Sequence, residues 1–251
     1  MLLPLQKMMS SNNSVPLALD MTLLEMNMRE YVNWQPERHP HLLIVGGTGS
    51  GKTYGLKLIM AKISTHIPDS QIYLCDFKDI DFRDFSDCPR RWSYEDCTEG
   101  LAAFYESFQA RLSGEDTSVN RKFFIFDEWA AFVMSREKKA MEEVKGKLST
   151  LLMMGRGVGC HIIIGLQRAD AQLFPMGGRD NFGGILALGG ISKEQKLMLF
   201  PDYREDMTHI NGRGQGYLYF DGDNDGLRRV IVPTVTDHAR LNNAIRESLC
   251  R

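Results

Sequence analysis

Leu42-Leu43-Ile44-Val45-Gly46-Gly47-Thr48-Gly49-Ser50-Gly51-Lys52-Thr53 is the stretch on which the fold turns. Four apolar residues in a row read as a strand covered on both faces. The eight that follow fit the spacing GxxxxGK[ST] without a mismatch, and Leu56, Ile59 and Ile63 then repeat at helical spacing. Strand, glycine-rich turn and helix in that order make a phosphate-binding loop. Glycines let the backbone wrap a phosphate with its N–H groups turned inward, and the helix N-terminus adds the positive end of its dipole. In this reading Gly46, Gly47, Thr48, Gly49, Ser50, Gly51, Lys52, Thr53 and Tyr54 form the nucleotide-binding set. Lys52 reaches the β- and γ-phosphates and Thr53 ligates Mg²⁺, so the expected cofactors are ATP and Mg²⁺. The competing account, a glycine-rich turn that matches by chance, is disfavoured by the strand before it and the helix after it. The motif specifies nucleoside triphosphate binding, not what the energy drives.

Outward from this stretch, strand and helix patterns alternate. Ile72–Cys75, Phe123–Phe126, Ile162–Leu166 and Gly184–Leu188 are short apolar runs of the buried-strand kind. Between them, Leu101, Phe104, Tyr105, Phe108 and Leu112 mark one face of a helix, and residues 137–155 make a second. Two further strands, 215–220 and 229–232, and a helix over 236–249 complete the pattern. The expectation is an α/β fold of RecA-like P-loop NTPase type, a mainly parallel sheet with helices on both faces. Residues 1–40 read as an irregular lead-in packing on a motor domain of residues 41–251.

Asp127 and Glu128 follow the apolar run Phe123–Phe126. Acids at a strand end of a parallel sheet face the crevice where ligands bind. Asp127 then holds the Mg²⁺ shell and Glu128 polarises the attacking water as general base. The pair also suits the first turn of a helix; the phosphate loop upstream tips the reading to chemistry. Arg156 and Gln167 flank the run 162–166. Gln167 sits where a strand-end amide senses the γ-phosphate, or is a loop amide. Arg156 lies across the sheet from its own phosphate loop, where it serves a neighbouring subunit as an arginine finger or is a solvated turn residue.

Composition narrows the class. The chain has 251 residues, 43% of them hydrophobic and 25% charged, which excludes a disordered or collagen-like chain. Lys plus Arg number 30 against 32 for Asp plus Glu, so any nucleic acid must meet a local basic patch. Lys138 and Lys139 are one candidate, with Glu142 and Glu143 as helix partners in the alternative. Arg179, on a glycine-flanked loop, is the other. The five cysteines form no CxxC pair and read as free thiols in a reducing cytosol. No apolar run approaches a membrane span, so a cytoplasmic protein without direct membrane insertion is expected.

Several words together resemble the FtsK/SpoIIIE branch of the FtsK–HerA superfamily. They are Val15–Leu19, Pro40–Thr53, Asp76-Phe77-Lys78, Asp127-Glu128-Trp129-Ala130, and the block from Gly155-Arg156 to Gln167-Arg168. The last two are the most specific, and the resemblance covers residues 15 to 235. It implies a motor that translocates double-stranded DNA through a homo-oligomeric ring, commonly a hexamer, with nucleotide sites between subunits. It makes Arg156 a trans-acting finger and Gln167 a sensor, and places a pore loop around Arg179. No role falls to Asp76 or Lys78. Membrane helices, a linker and a DNA-reading domain find no room here, so the resemblance points to a compact relative from a mobile element, with membrane or relaxosome proteins as partners. A coupling or secretion ATPase that moves protein or protein–DNA cargo is the alternative.

Overall fold

In the computed structural model the described residues are 13–174, 181–210 and 212–251. Ten strands form one sheet: β1 (Val15–Asp20), β2 (Tyr31–Trp34), β3 (Leu42–Gly46), β4 (Gln71–Asp76), β5 (Arg91–Ser93), β6 (Lys122–Asp127), β7 (Cys160–Leu166), β8 (Gly184–Leu188), β9 (Gln215–Phe220) and β10 (Arg228–Ile231). Their spatial order is β2-β1-β10-β9-β8-β3-β7-β6-β4-β5. Strands β8, β3, β7, β6, β4 and β5 run parallel, whereas β9, β10, β1 and β2 add on antiparallel. The fold is the expected α/β P-loop NTPase type: a mixed, mostly parallel sheet.

Helices cover both faces. α2 (Lys52–His66) and α7 (His238–Cys250) pack on one; α3 (Cys97–Ser113), α4 (Trp129–Met134) and α5 (Lys138–Met154) pack on the other. Two short helices, α1 (Met21–Glu25) and α6 (Lys193–Leu199), lie in connections. β3 shows why its run is apolar throughout. Leu42 and Ile44 enter the core beneath α2, and Leu43 and Val45 enter the core beneath α3–α5. β6 divides in the same way, Phe123 and Ile125 to one side, Phe124 and Phe126 to the other. Side chains alternate across a strand, so a strand covered twice must be apolar at every step.

The irregular lead-in expected for residues 1–40 is corrected over its described part. β1 and β2 pair antiparallel, and Leu19 and Asp20 join the sheet opposite Ile231 and Val230. The signal was faint because β2 is four residues long and alternates exposed with buried, and β1 shifts register between Pro16 and Ala18. None of the helices among the described residues is long and apolar enough to cross a membrane. The five cysteines are free thiols.

Candidate functional site

The site lies at the carboxyl ends of β3, β6 and β7, which are aligned in register: Asp127 stands beside Gly165, and Val45 beside Leu166. The chain turns sharply after Gly46 and re-enters a helix at Lys52. Gly51 takes φ 97°, and a Cβ there would press on Gly214, whose N–H donates to Ser50 O at 2.8 Å. A left-handed backbone against a second backbone leaves room only for glycine.

Lys52 Nζ is buried between two carboxylates. It donates to Asp127 Oδ1 and, at 3.0 Å, to Glu128 Oε1. Thr53 Oγ1 donates to Asp127 Oδ2 at 3.0 Å. Lys78 Nζ pairs with Glu128 Oε1 at 2.9 Å, and Gln167 Nε2 donates to the same oxygen at 3.3 Å. Burial opposes the charge on Lys52, but Asp127 and Glu128 outweigh it and its pKa is raised. Burial likewise opposes the Glu128 charge, and Lys52, Lys78 and Gln167 reverse it, holding the carboxyl below its usual range.

These groups face a cavity of about 390 Å³ floored by the glycine-rich loop. Gly46, Gly47, Thr48, Gly49, Gly51, Lys52, Thr53, Tyr54, Glu128 and Gln167 all line it. Ser50 does not: its hydroxyl is buried without a partner, packed where a Cβ on Gly46 would collide with it. Asp127 lies just beneath, 2% exposed. Its Oδ2 and the Thr53 hydroxyl are hard oxygen donors of the kind Mg²⁺ takes alongside nucleotide phosphates and water, so the residues fit that ion. Among the described residues there is no cluster of three His, Cys, Asp or Glu side chains that could cage a metal alone.

Arg156 sits apart. It lies in a 3-10 turn (Gly155–Val158) ahead of β7, exposed, at the amino ends of the parallel strands. From Cys160 to Gly165, the residue beside Asp127, the strand runs about 16 Å at ~3.3 Å per residue. Arg156 therefore cannot serve its own cavity. Lys138 and Lys139 open α5, exposed; Lys139 attracts Glu143 at longer range, after Lys147, which pairs with that acid directly. Glu142 and Glu143 pair instead with Lys145 at 3.3 Å and Lys147 at 2.9 Å. Arg179 lies outside the described residues.

Three contributors escaped the sequence reading. Lys78, in the Asp76-Phe77-Lys78 word that carries no role in sequence, grips Glu128. Arg213 lines the cavity from the turn that backs the phosphate loop; its only signal was a glycine on each side. Gly165 matters because a Cβ there would stand 2.6 Å from Asp127 Oδ1 and 3.2 Å from Leu56 Cδ1. Its absent side chain is the space the acid occupies.

The FtsK/SpoIIIE family matches residues 2–112. An FtsK domain-containing protein of Bacillus subtilis, YdcQ, is 28% identical over 207 residues, covering 76% of this chain and 42% of that protein. The DNA translocase FtsK of Borreliella burgdorferi is 25% identical over 166 residues, 53% of this chain and 20% of its own length. The chain thus spans less than half the length of these relatives. Among solved structures, the pCW3 conjugation coupling protein TcpA, with ATPγS, superposes with TM-score 0.69 at 18% identity, over 98% of this chain and 73% of that one. EssC (ATPases 2 and 3) from Geobacillus thermodenitrificans gives 0.70 at 13% identity, over 99% of this chain and 51% of that one. With a matched N-terminal part, such relatives and such a fold, this chain resembles the FtsK/SpoIIIE-type motor ATPases and is built on their P-loop NTPase fold.

Proposed function

We propose that this chain is an ATP-hydrolysing motor that translocates double-stranded DNA, acting as a homo-oligomeric ring of hexamer type in the transfer or segregation of a mobile element. One observation carries the chemistry: Lys52, Thr53, Glu128 and Gln167 converge on a single cavity at the phosphate loop, with Asp127 directly beneath. The likeness to DNA translocases supports the cargo. In this reading residues 41–251 carry the motor and residues 1–40 pack on it.

Lys52 leaves its two carboxylates and binds the β- and γ-phosphates. The loop N–H groups and the α2 N-terminus take the remaining phosphate charge. Thr53 and Asp127 would hold Mg²⁺, which when bound neutralises charge on the phosphates. Glu128 accepts the proton of the attacking water, and Gln167, already bonded to Glu128, reports whether the γ-phosphate is present. Arg156 reaches the cavity of the next subunit. A ring that sets the amino edge of one sheet against the carboxyl edge of its neighbour puts the two together. Lys138, Lys139 and Arg179 contact DNA phosphates in the pore. The motor works in the cytoplasm, alongside membrane or relaxosome proteins.

The net charge of −2 favours a second reading, a coupling or secretion ATPase that moves protein or protein–DNA cargo. ATP turnover measured across protein concentration, with duplex DNA, single strands or no polymer, separates the two. Steep concentration dependence with strong duplex stimulation supports the DNA motor. Turnover indifferent to DNA supports the second reading, and absence of turnover overturns both.

A further inference from the structure

Glu128 has a crowded carboxylate. Its side-chain donors all reach one oxygen, Oε1: Lys78 at 2.9 Å, Lys52 at 3.0 Å and Gln167 at 3.3 Å. The residue itself is a non-glycine in the left-handed region, φ 64°, at the junction of β6 and α4. Such a backbone persists only where surrounding contacts fix it.

The three donors differ in what a nucleotide does to them. Lys52 belongs to the phosphate loop, so phosphates compete with Glu128 for it. Gln167 carries no charge. Lys78 is exposed at the cavity rim, and Glu128 is its one ion-pair partner among the described residues. The residues on either side of it are held independently of any ligand. Asp76 accepts from Phe82 N at 3.3 Å, Arg91 bonds Asp79 at 2.5 Å and lies 3.7 Å from Asp76, and Phe77 N donates to Asp127 O at 3.4 Å. Lys78 thus stands on a turn tied both to β5 and to the end of the strand that bears the acid pair.

Once Lys52 turns to the phosphates, a carboxylate faces a polyanion across a small cavity. Like charges at that range repel, the more so because the Glu128 side chain is buried. Gln167 alone cannot neutralise Glu128. We propose that Lys78 is a positioning residue that holds the Glu128 carboxylate in the cavity after Lys52 has passed to the nucleotide, keeping the acid aimed at the attacking water. This inference rests on the ATPase reading above. It does not require DNA.

The test compares the full chain with Lys78→Met and Lys78→Arg, measuring ATP turnover and ATP-analogue affinity separately. Loss of an aimed base lowers kcat while leaving ground-state binding, so Lys78→Met is expected to lose about tenfold or more in kcat, with affinity within about threefold. Lys78→Arg restores most of the turnover, which a merely structural lesion would not allow. The structures of wild type and Lys78→Met with ATPγS supply the second readout. In the variant, Glu128 swings away from Gln167; in wild type it stays. Turnover of Lys78→Met within twofold of wild type, an equal loss of affinity and kcat, or an unmoved Glu128 overturns the inference. A wild-type chain that binds ATPγS yet never hydrolyses ATP overturns the ATPase reading instead, and the two bound structures still decide whether Lys78 holds the acid.

Discussion

β6 is charged at both ends, and the two ends have opposite characters. At its amino end Lys122 donates to Asp116 at 2.6 Å and Ser107 at 2.5 Å, while Arg111 serves Asp116 at 3.2 Å, Ser118 at 2.9 Å and Val158 O at 3.0 Å. Lys122 above all, then Ser118 and Arg111, hold Asp116 well below the usual carboxylate range. Every cation there is answered by fixed protein partners. At the carboxyl end two lysines and an amide share one Glu128 oxygen over an open cavity. Buried ion pairs therefore do not mark the functional end. Donors that an incoming anion can draw away, facing space to admit it, do.

The sharpest break of this contrast is Glu128→Gln against Lys122→Met. The first keeps nucleotide binding and loses about 100-fold or more in turnover. The second leaves Asp116 with Arg111 as its remaining cation, and chemical denaturation should show a loss of about 1 kcal/mol. Turnover per folded molecule stays near wild type in Lys122→Met; a large fall would erase the distinction between the ends.

Gly165→Ala probes the carboxyl end from inside. Its methyl group displaces the Asp127 carboxylate, so Mg²⁺-dependent turnover falls about tenfold while stability drops by about 1–3 kcal/mol from overpacking. Wild-type turnover in this variant would show that Asp127 does not need its observed position.

Acid tests the amino end. His41 accepts from Ile162 N through Nδ1 and donates to Leu152 O through Nε2, both at 3.0 Å, so it is held neutral. Burial lowers its pKa to about 3, and burial lowers that of His161 to about 4. The unfolded chain takes up these protons near 6.5, and the native state refuses them until far lower. Stability is thus full above pH 6.5 and falls as pH drops toward 4. Each histidine contributes a slope of about 1.4 kcal/mol per pH unit. Urea midpoints between pH 7 and 5 measure the slope, and replacing His161, which stacks on Phe123, by Phe should remove that residue's share and leave those of His41 and His39.

The smallest effect concerns the exposed lysines. Lys138→Ala with Lys139→Ala should weaken duplex binding evenly across sequences and reduce the salt-dependence slope by about one per lysine. An unchanged slope moves the DNA path elsewhere.

Much of this was legible in the chain because a doubly covered parallel strand leaves an unbroken apolar run. Leu42–Val45 and Phe123–Phe126 announce themselves, and Gly46–Thr53 and Asp127-Glu128 follow each directly. β2 and β5 escape because short edge strands carry mixed burial and no such run, and β1, though paired on both sides, is interrupted by Pro16 and a register shift. Lys78 was readable as a residue but not as a contact. Its partner lies 50 positions away and meets it only through the β4–β6 register that sets Asp76 beside Asp127. Arg213 and Gly165 act through space that no local pattern encodes.

The β1–β10 pairing bears on how the chain is made. Leu19 meets Ile231 across about 210 residues of sequence, a contact of very high order, and such contacts form slowly because the intervening loop must first be closed. At ribosomal speeds of roughly 5–20 residues per second, the early hairpin waits tens of seconds for its partner strand. During that interval β1 offers an open edge of main-chain donors and acceptors to any passing strand. Synthesis halted before Arg228 would leave that edge bare, making this seam the place where an incomplete chain is first seized by a chaperone or an aggregate.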